Sequence, residues 1–195
     1  MLEMVSEQTI WDTLRLYLEL GYTHILPKGL DHILFVLALF FASTRLKPLV
    51  WQISAFTVAH TITLGLATLG LVTLPASIVE PVIALSIAFV AVENLVFKDM
   101  QRWRPLIVFG FGLFHGLGFA GVLSELGLPQ GQLIPALLSF NVGVELGQLT
   151  IVLACWFVLH RFRDAAWYGW LVRIVSAAIA VIALWWTIER VFLGG

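Results

Sequence analysis

Most of the histidines and several carboxylates in this chain fall inside long apolar stretches, where an ionisable group is expensive and marks a candidate site. The stretch Gly21-Tyr-Thr-His24-Ile-Leu-Pro27-Lys28-Gly29-Leu-Asp31-His32-Ile-Leu-Phe35 carries two imidazoles, a lysine and a carboxylate. If it is helical, His24, Lys28 and Asp31 share one face, and Lys28 reaches His32 four residues on. Pro27 and Gly29 predict a break, which would free backbone carbonyls close to the carboxylate. The plainer reading is a Lys28–Asp31 ion pair at an interfacial helix start. An adjacent Asp-His pair with a third donor upstream is a costly way to build one.

A third imidazole, His60, lies in Ser54-Ala-Phe-Thr57-Val-Ala-His60-Thr61-Ile-Thr63, beside a stripe of hydroxyls. It is 11 residues from Leu49, so about 16 Å deep at the helical rise, near mid-membrane. Alone, such a histidine more often packs against a neighbouring helix. His115 sits at similar depth in Phe114-His115-Gly116-Leu-Gly118, where Gly112 and Gly116 form a small-xxx-small pair and Gly110, Gly118 and Gly121 add further close-approach positions. Packing explains the glycines and leaves the histidine unexplained. Asn141, Glu145 and Gln148 are spaced to share one helix face, and Glu93-Asn94 adds another carboxylate towards the inner side of its span. Glu80, His160, Arg173 and Glu189 lie near span ends and are read as interfacial or snorkelling groups.

Imidazole with carboxylate is a ligand set for Zn, Ni, Co, Cu or Fe, among which ligand type alone does not choose. One cysteine and three methionines argue against a soft Cu(I) site. The expected site is a divalent transition-metal ion (Ni, Co or Zn) held by His24, Asp31, His32, His60, His115 and Glu145. Lys28, Thr57, Thr61, Glu93, Asn141 and Gln148 would surround it and orient the ligands.

Such a site needs helices to carry it, and the composition supplies them. Of 195 residues, 60% are hydrophobic and only 12% charged, with a mean hydropathy of +0.96. Soluble domains run nearer 25% charged, so a water-soluble fold and disorder are both excluded. A net charge of −1 gives no field for nucleic acid. The expectation is an all-α polytopic membrane protein of about six spanning helices, 21–195, preceded by an amphipathic interfacial helix, 1–20. In that first segment Ile10, Leu14 and Leu18 repeat at helical spacing with Trp11 alongside, among Glu3, Glu7, Asp12, Arg15 and Glu19.

The spans are predicted near 22–43, 49–71, 78–97, 105–126, 133–160 and 168–193. Loops one, three and five carry Arg45, Lys47, Lys98, Arg102, Arg104, Arg161 and Arg163, seven of the eleven basic residues. Loop two and the loop Gly127-Leu128-Pro129-Gln130-Gly131 carry none. Those basic loops should be cytoplasmic, with both termini outward, in a bacterial inner membrane. A faint echo between Ala59-His60…Gly65 and Phe114-His115-Gly116…Gly121 suggests related, outward-running spans.

Taken in order, these stretches resemble the HupE/UreJ membrane protein family, in its second, broader branch. The matching residues are His24-x6-Asp31-His32 with Gly29, Phe56-Thr-Val-Ala-His60-Thr-Ile-Thr-Leu64, Val92-Glu93-Asn94-Leu95, Phe114-His115-Gly-Leu-Gly-Phe-Ala-Gly121 and Phe140-Asn141-Val-Gly143-Val-Glu145-Leu-Gly147-Gln148. The resemblance implies a nickel or cobalt permease, in which a first-helix histidine precedes an Asp-His pair. Its partners would be the lipid bilayer and the metal ion, with a homo-oligomer left open. Two other chemistries fit the same residues. One is an intramembrane zinc hydrolase with Glu145 or Glu93 as general base; the other is haem ligation by His60 and His115. An assembly role beside another membrane complex is a fourth reading.

Overall fold

The computed structural model describes residues 9–43, 45–97, 101–125 and 131–193. Expectations resting on Glu3, Glu7, Lys98 or 127–130 lie outside the described residues. The described chain is helical and contains no strand: α1 (Ile10–Ile25), α2 (Leu30–Phe41), α3 (Leu46–Thr68), α4 (Ala76–Val96), α5 (Arg104–Glu125), α6 (Leu133–Leu159) and α7 (Tyr168–Ile188). A helix closes all its backbone hydrogen bonds internally, which hydrocarbon demands. Four segments, Leu46–Thr68, Ala76–Val96, Leu133–Phe162 and Tyr168–Leu193, are long and apolar enough to cross a membrane. The pair α1 and α2, bent by 68°, makes a fifth as one broken span. The 22-residue α5 lies beside α3 as the sixth member of the bundle.

The predicted first span therefore differs from the observed one. Helix α1 begins at Ile10, capped by Thr9, whose hydroxyl accepts from the Asp12 N–H while the Asp12 carboxylate accepts from the Thr9 N–H. It then runs past the expected boundary at residues 20 and 21 as far as Ile25. Nor does it stand apart from the bundle. A methyl group on Gly21 would strike the Phe140 carbonyl, and one on Gly143 the Leu18 carbonyl. The Ser139 hydroxyl donates to the Leu14 carbonyl. These contacts make α1 and α6 a parallel pair with backbones nearly touching, a packing that glycine alone permits.

Ile25, the last residue of α1, packs on Gly147, the middle of the 27-residue α6. The break at 26–29 thus falls at half the bundle's depth, as Pro27 and Gly29 predicted. Its backbone stays bonded, Leu26 N–H to the Tyr22 carbonyl at 2.9 Å and Gly29 N–H to the Ile25 carbonyl at 3.1 Å. Broken helices at membrane depth survive when protein surrounds them in this way. Gly29 is needed because any Cβ there would meet the His24 carbonyl.

Helices α3 and α5 form the second close parallel pair. Gly112 and Gly116 lie over the backbone at Phe56 and His60, and the Thr63 hydroxyl donates to the Leu113 carbonyl at 2.7 Å. Gly118 meets the Ile83 side chain, whereas Gly110 and Gly121 face open space, so those two glycines are not the close-approach positions expected of them. A Gly116→Ala change keeps every imidazole yet forces α3 and α5 apart. We expect it to cost about 1–3 kcal/mol in thermal unfolding of the detergent-solubilised chain, whereas Gly110→Ala leaves stability unchanged. Equal stability of the two variants would contradict this packing.

The loops after α2, α4 and α6 meet at one end, where Ser43, Phe97 and Tyr168 line a common cavity. Arg163 there stands 5.7 Å from the Phe40 ring centroid. Glu80 near the start of α4 and Arg190 beyond α7 meet at the other end, the guanidinium donating to the Glu80 carbonyl at 3.0 Å. Of the basic residues expected in those loops, Arg163 lies at the end where the loops meet and one is interior. Arg104 is 2% exposed and belongs to the interior.

Candidate metal centre

Six elements deliver polar side chains to the level of the helix break. His24 comes from the end of α1 and Asp31 and His32 from the first turn of α2, where the helix dipole favours a carboxylate. His60 comes from α3, His115 from α5 and Asn141 from α6. Ser86, the eleventh of the 21 residues of α4, joins them. Two groups of ligand atoms result, His24 with His32 and His60, and Asp31 with His32 and His115. Within each group the atoms lie within 4.8 Å of one another. His32, His60 and His115 are 2%, 0% and 1% exposed, so the cluster lies inside the bundle.

The hydrogen bonds around the cluster orient its imidazoles. The Asn141 amide donates to the Leu137 carbonyl at 2.8 Å, which turns its Oδ1 towards His60 Nδ1, 2.9 Å away. His60 Nδ1 must therefore carry the proton, and its Nε2, buried and without a hydrogen-bond partner, presents a lone pair. Asp31 Oδ1 accepts from the His32 backbone N–H at 2.8 Å and from Nδ1 at 3.1 Å, leaving His32 Nε2 bare. Ser86 donates to the Ile83 carbonyl at 2.6 Å and so accepts from His115 Nε2 at 3.2 Å, which bares His115 Nδ1. His24 Nε2 is likewise buried without a partner.

Two of these lone pairs, His32 Nε2 and His115 Nδ1, face each other at 3.4 Å. Two acceptors in that position repel unless a cation stands between them. Nitrogens about 2.0–2.1 Å from a tetrahedrally bound metal ion are themselves about 3.3–3.4 Å apart. The donor set fits a transition metal: bare imidazoles, with the opposite nitrogens of three of them held by oxygen partners, one of which is the Asp31 carboxylate.

Aromatic rings close the cluster on both sides. Towards the end where α1 and α6 begin, Phe119 and Phe140 stack at 4.9 Å, and Phe119 lies 4.1 Å from the His24 ring. Towards the basic end, Phe35 and Phe56 pack at 5.1 Å, with Phe56 4.9 Å from His115.

The remaining expected residues sit elsewhere. Glu145 belongs to neither histidine group; the Ser54 hydroxyl donates to its Oε1 at 2.6 Å. Gln148 accepts from Thr57 at 3.2 Å, so Asn141, Glu145 and Gln148 bind α6 to the hydroxyl face of α3, and of the three only Asn141 touches an imidazole. Thr61 donates back to the Thr57 carbonyl, and Lys28 is exposed. Glu93 is far from its expected place. It pairs with Arg104 at 2.6 Å, and Arg104 also donates to the Asn94 amide oxygen at 2.9 Å. This buried pair lines a cavity of about 520 Å³ at the basic end.

Sequence reading overlooked Ser86 and the four phenylalanines. Ser86 offered a signal, a hydroxyl at the midpoint of an apolar span, but serines there commonly bond only their own helix. The phenylalanines offered none, because an aromatic in an apolar helix is ordinarily core.

Fold and site together define a polytopic membrane protein with an intramembrane imidazole–carboxylate centre on a broken helix. A family model for HupE / UreJ protein matches residues 2–190, and the chain belongs to that family. No curated protein and no solved structure matches it.

Proposed function

We propose that the protein is a secondary transporter that moves a divalent transition-metal ion of the nickel or cobalt type across a bacterial inner membrane, inward from the face that carries both termini. One observation carries this reading: three buried imidazoles and the half-buried His24 turn bare nitrogens towards one another at the mid-depth break of a helix. Transporters place substrate sites at such breaks, near the midplane and between packed helices. Family membership supports the same reading. Aromatic pairs on both sides of the cluster suit a site that must close to either face.

The hydrolase reading has less support, since Glu145, bonded by Ser54, and Glu93, paired with Arg104, both lie outside the two histidine groups. Haem loses its slot. The rings of His32 and Phe56 each lie within about 6 Å of both His60 and His115, filling the space a porphyrin would need.

Uptake into proteoliposomes holding a chelating dye tests the proposal, with Ni, Co, Zn, Mn, Fe and Cu ions offered in turn. Saturable entry of Ni2+ or Co2+ is expected. Protein that holds an ion after purification yet admits none would make the site stationary.

A further inference from the structure

We propose that the cavity at the basic end binds one phospholipid, whose headgroup joins a phosphate to a primary ammonium and whose acyl chain lies in a groove along α4. The site is separate from the metal centre and does not depend on the transport reading.

The cavity, of about 520 Å³, is walled by the end of α2, the end of α4 and the start of α7. Its charged groups are Glu93, Arg104 and Arg173. Arg104 is already engaged within the protein. Its Nε and Nη2 hold Glu93 Oε2, and Nη2 also donates to the Asn94 amide oxygen. Glu93 Oε1 is buried and has no partner among the described residues. The exposed Arg173 rests 5.5 Å from the Trp170 ring and has no carboxylate partner among those residues. A carboxylate oxygen takes an N–H or O–H donor, and a guanidinium takes an anion. Phosphate alone would meet the carboxylate, and a bare metal cation would meet two guanidinium groups. A zwitterion of phosphate and ammonium satisfies both free groups and adds no net charge.

Depth and shape make that zwitterion a lipid headgroup. Glu93 lies about 5 Å before the end of α4 and Arg173 about 8 Å past the start of α7, at the level where a bilayer turns polar. Basic pockets between helices at this level are the ordinary seats of lipid headgroups. Glu93, Val96 and Phe97 also line a second space, of about 280 Å³, beside α4. Its other walls are apolar and reach Leu85 on α4 and Leu184 on α7. From Phe97 to Leu85 the groove follows about 18 Å of helix, a length suited to an acyl chain. Trp103, an aromatic of the kind enriched at headgroup level, closes its side, 6.0 Å from the Phe89 ring. A polar cavity that shares three residues with an apolar groove fits head and tail of one molecule.

Native mass spectrometry of the full chain tests this, in detergent holding equal amounts of phosphatidylethanolamine, phosphatidylcholine and phosphatidylglycerol with identical acyl chains. One phosphatidylethanolamine per chain should be retained, about 10-fold or more above either competitor. The choline headgroup has no N–H to offer Glu93, and the glycerol headgroup has no ammonium. Equal retention of either competitor would overturn the proposal, and that comparison requires no variant. Displacement of the lipid by an equal concentration of soluble glycerophosphoethanolamine would also overturn it, since the groove would then contribute nothing. Glu93→Gln should bring phosphatidylethanolamine down to the level of phosphatidylcholine. Should that variant fail to fold, Glu93→Met with Arg104→Met gives the same comparison. Arg173→Gln, at an exposed position, should lower phosphatidylethanolamine retention about 10-fold; wild-type retention in it would overturn the assignment of the phosphate.

Discussion

Replacing His32 with alanine abolishes metal uptake, lowering it by more than about 100-fold, beyond the 10–100-fold typical for losing a residue that only orients a ligand. The expectation follows from its place in both histidine groups and from the two oxygen-held contacts that aim its Nε2 into the cluster. Asn141→Ala and Ser86→Ala remove only the partners of His60 and His115, so each should cost about 10–100-fold. The measurement is initial Ni2+ or Co2+ entry into proteoliposomes, with each variant first shown to run as a monodisperse peak. Wild-type rates in His32→Ala would remove the cluster from the transport path.

The second large effect is on stability and lies at the C-terminal end of α4. Arg104→Ala leaves the Glu93 carboxylate buried without its cation, at a cost of about 3–5 kcal/mol. Glu93 is 6% exposed and its Oε1 already lacks a partner, so no neighbour among the described residues takes up the charge. A double change, Arg104→Met with Glu93→Met, should recover most of the loss, since well-packed apolar pairs replace buried ion pairs at little cost. Thermal unfolding of the solubilised chain, followed by tryptophan fluorescence, reads both. Arg104→Ala as stable as wild type would mean that the pair bears no structural weight.

Much of this architecture was legible because hydrocarbon makes polarity conspicuous. His24, Asp31, His32, His60 and His115 stood out as residues a bilayer should exclude, and all five fall in the two ligand groups. Pro27 and Gly29 announced the break between α1 and α2. Depth counted along each helix was enough to bring His60 and His115 to one level. Depth does not give azimuth, however. Glu145 and Glu93 have comparable burial potential in the sequence, yet one faces Ser54 and the other Arg104.

Helix α1 shows the same division. Its polar residues and Trp11 suggested a helix in the membrane interface, while Gly21 gave no hint of a partner. Only Gly143 and the Phe140 carbonyl, more than a hundred residues on, account for it. By itself the amino-acid sequence determined that this chain is a helical membrane protein, where its helices after the first span start and stop to within a few residues, which of its histidines lie at mid-depth, and where its first span breaks. These follow from local propensity and from the cost of charge in lipid, both of which act residue by residue. Tertiary structure alone decided which side chains meet: that Asn141, Ser86 and Asp31 turn the imidazoles inward, that Glu145 and Glu93 turn elsewhere, and that His32 belongs to two groups at once. Those choices depend on the rotation of each helix about its axis, which close contacts such as Gly21 on Phe140 and Gly116 on His60 set across the bundle.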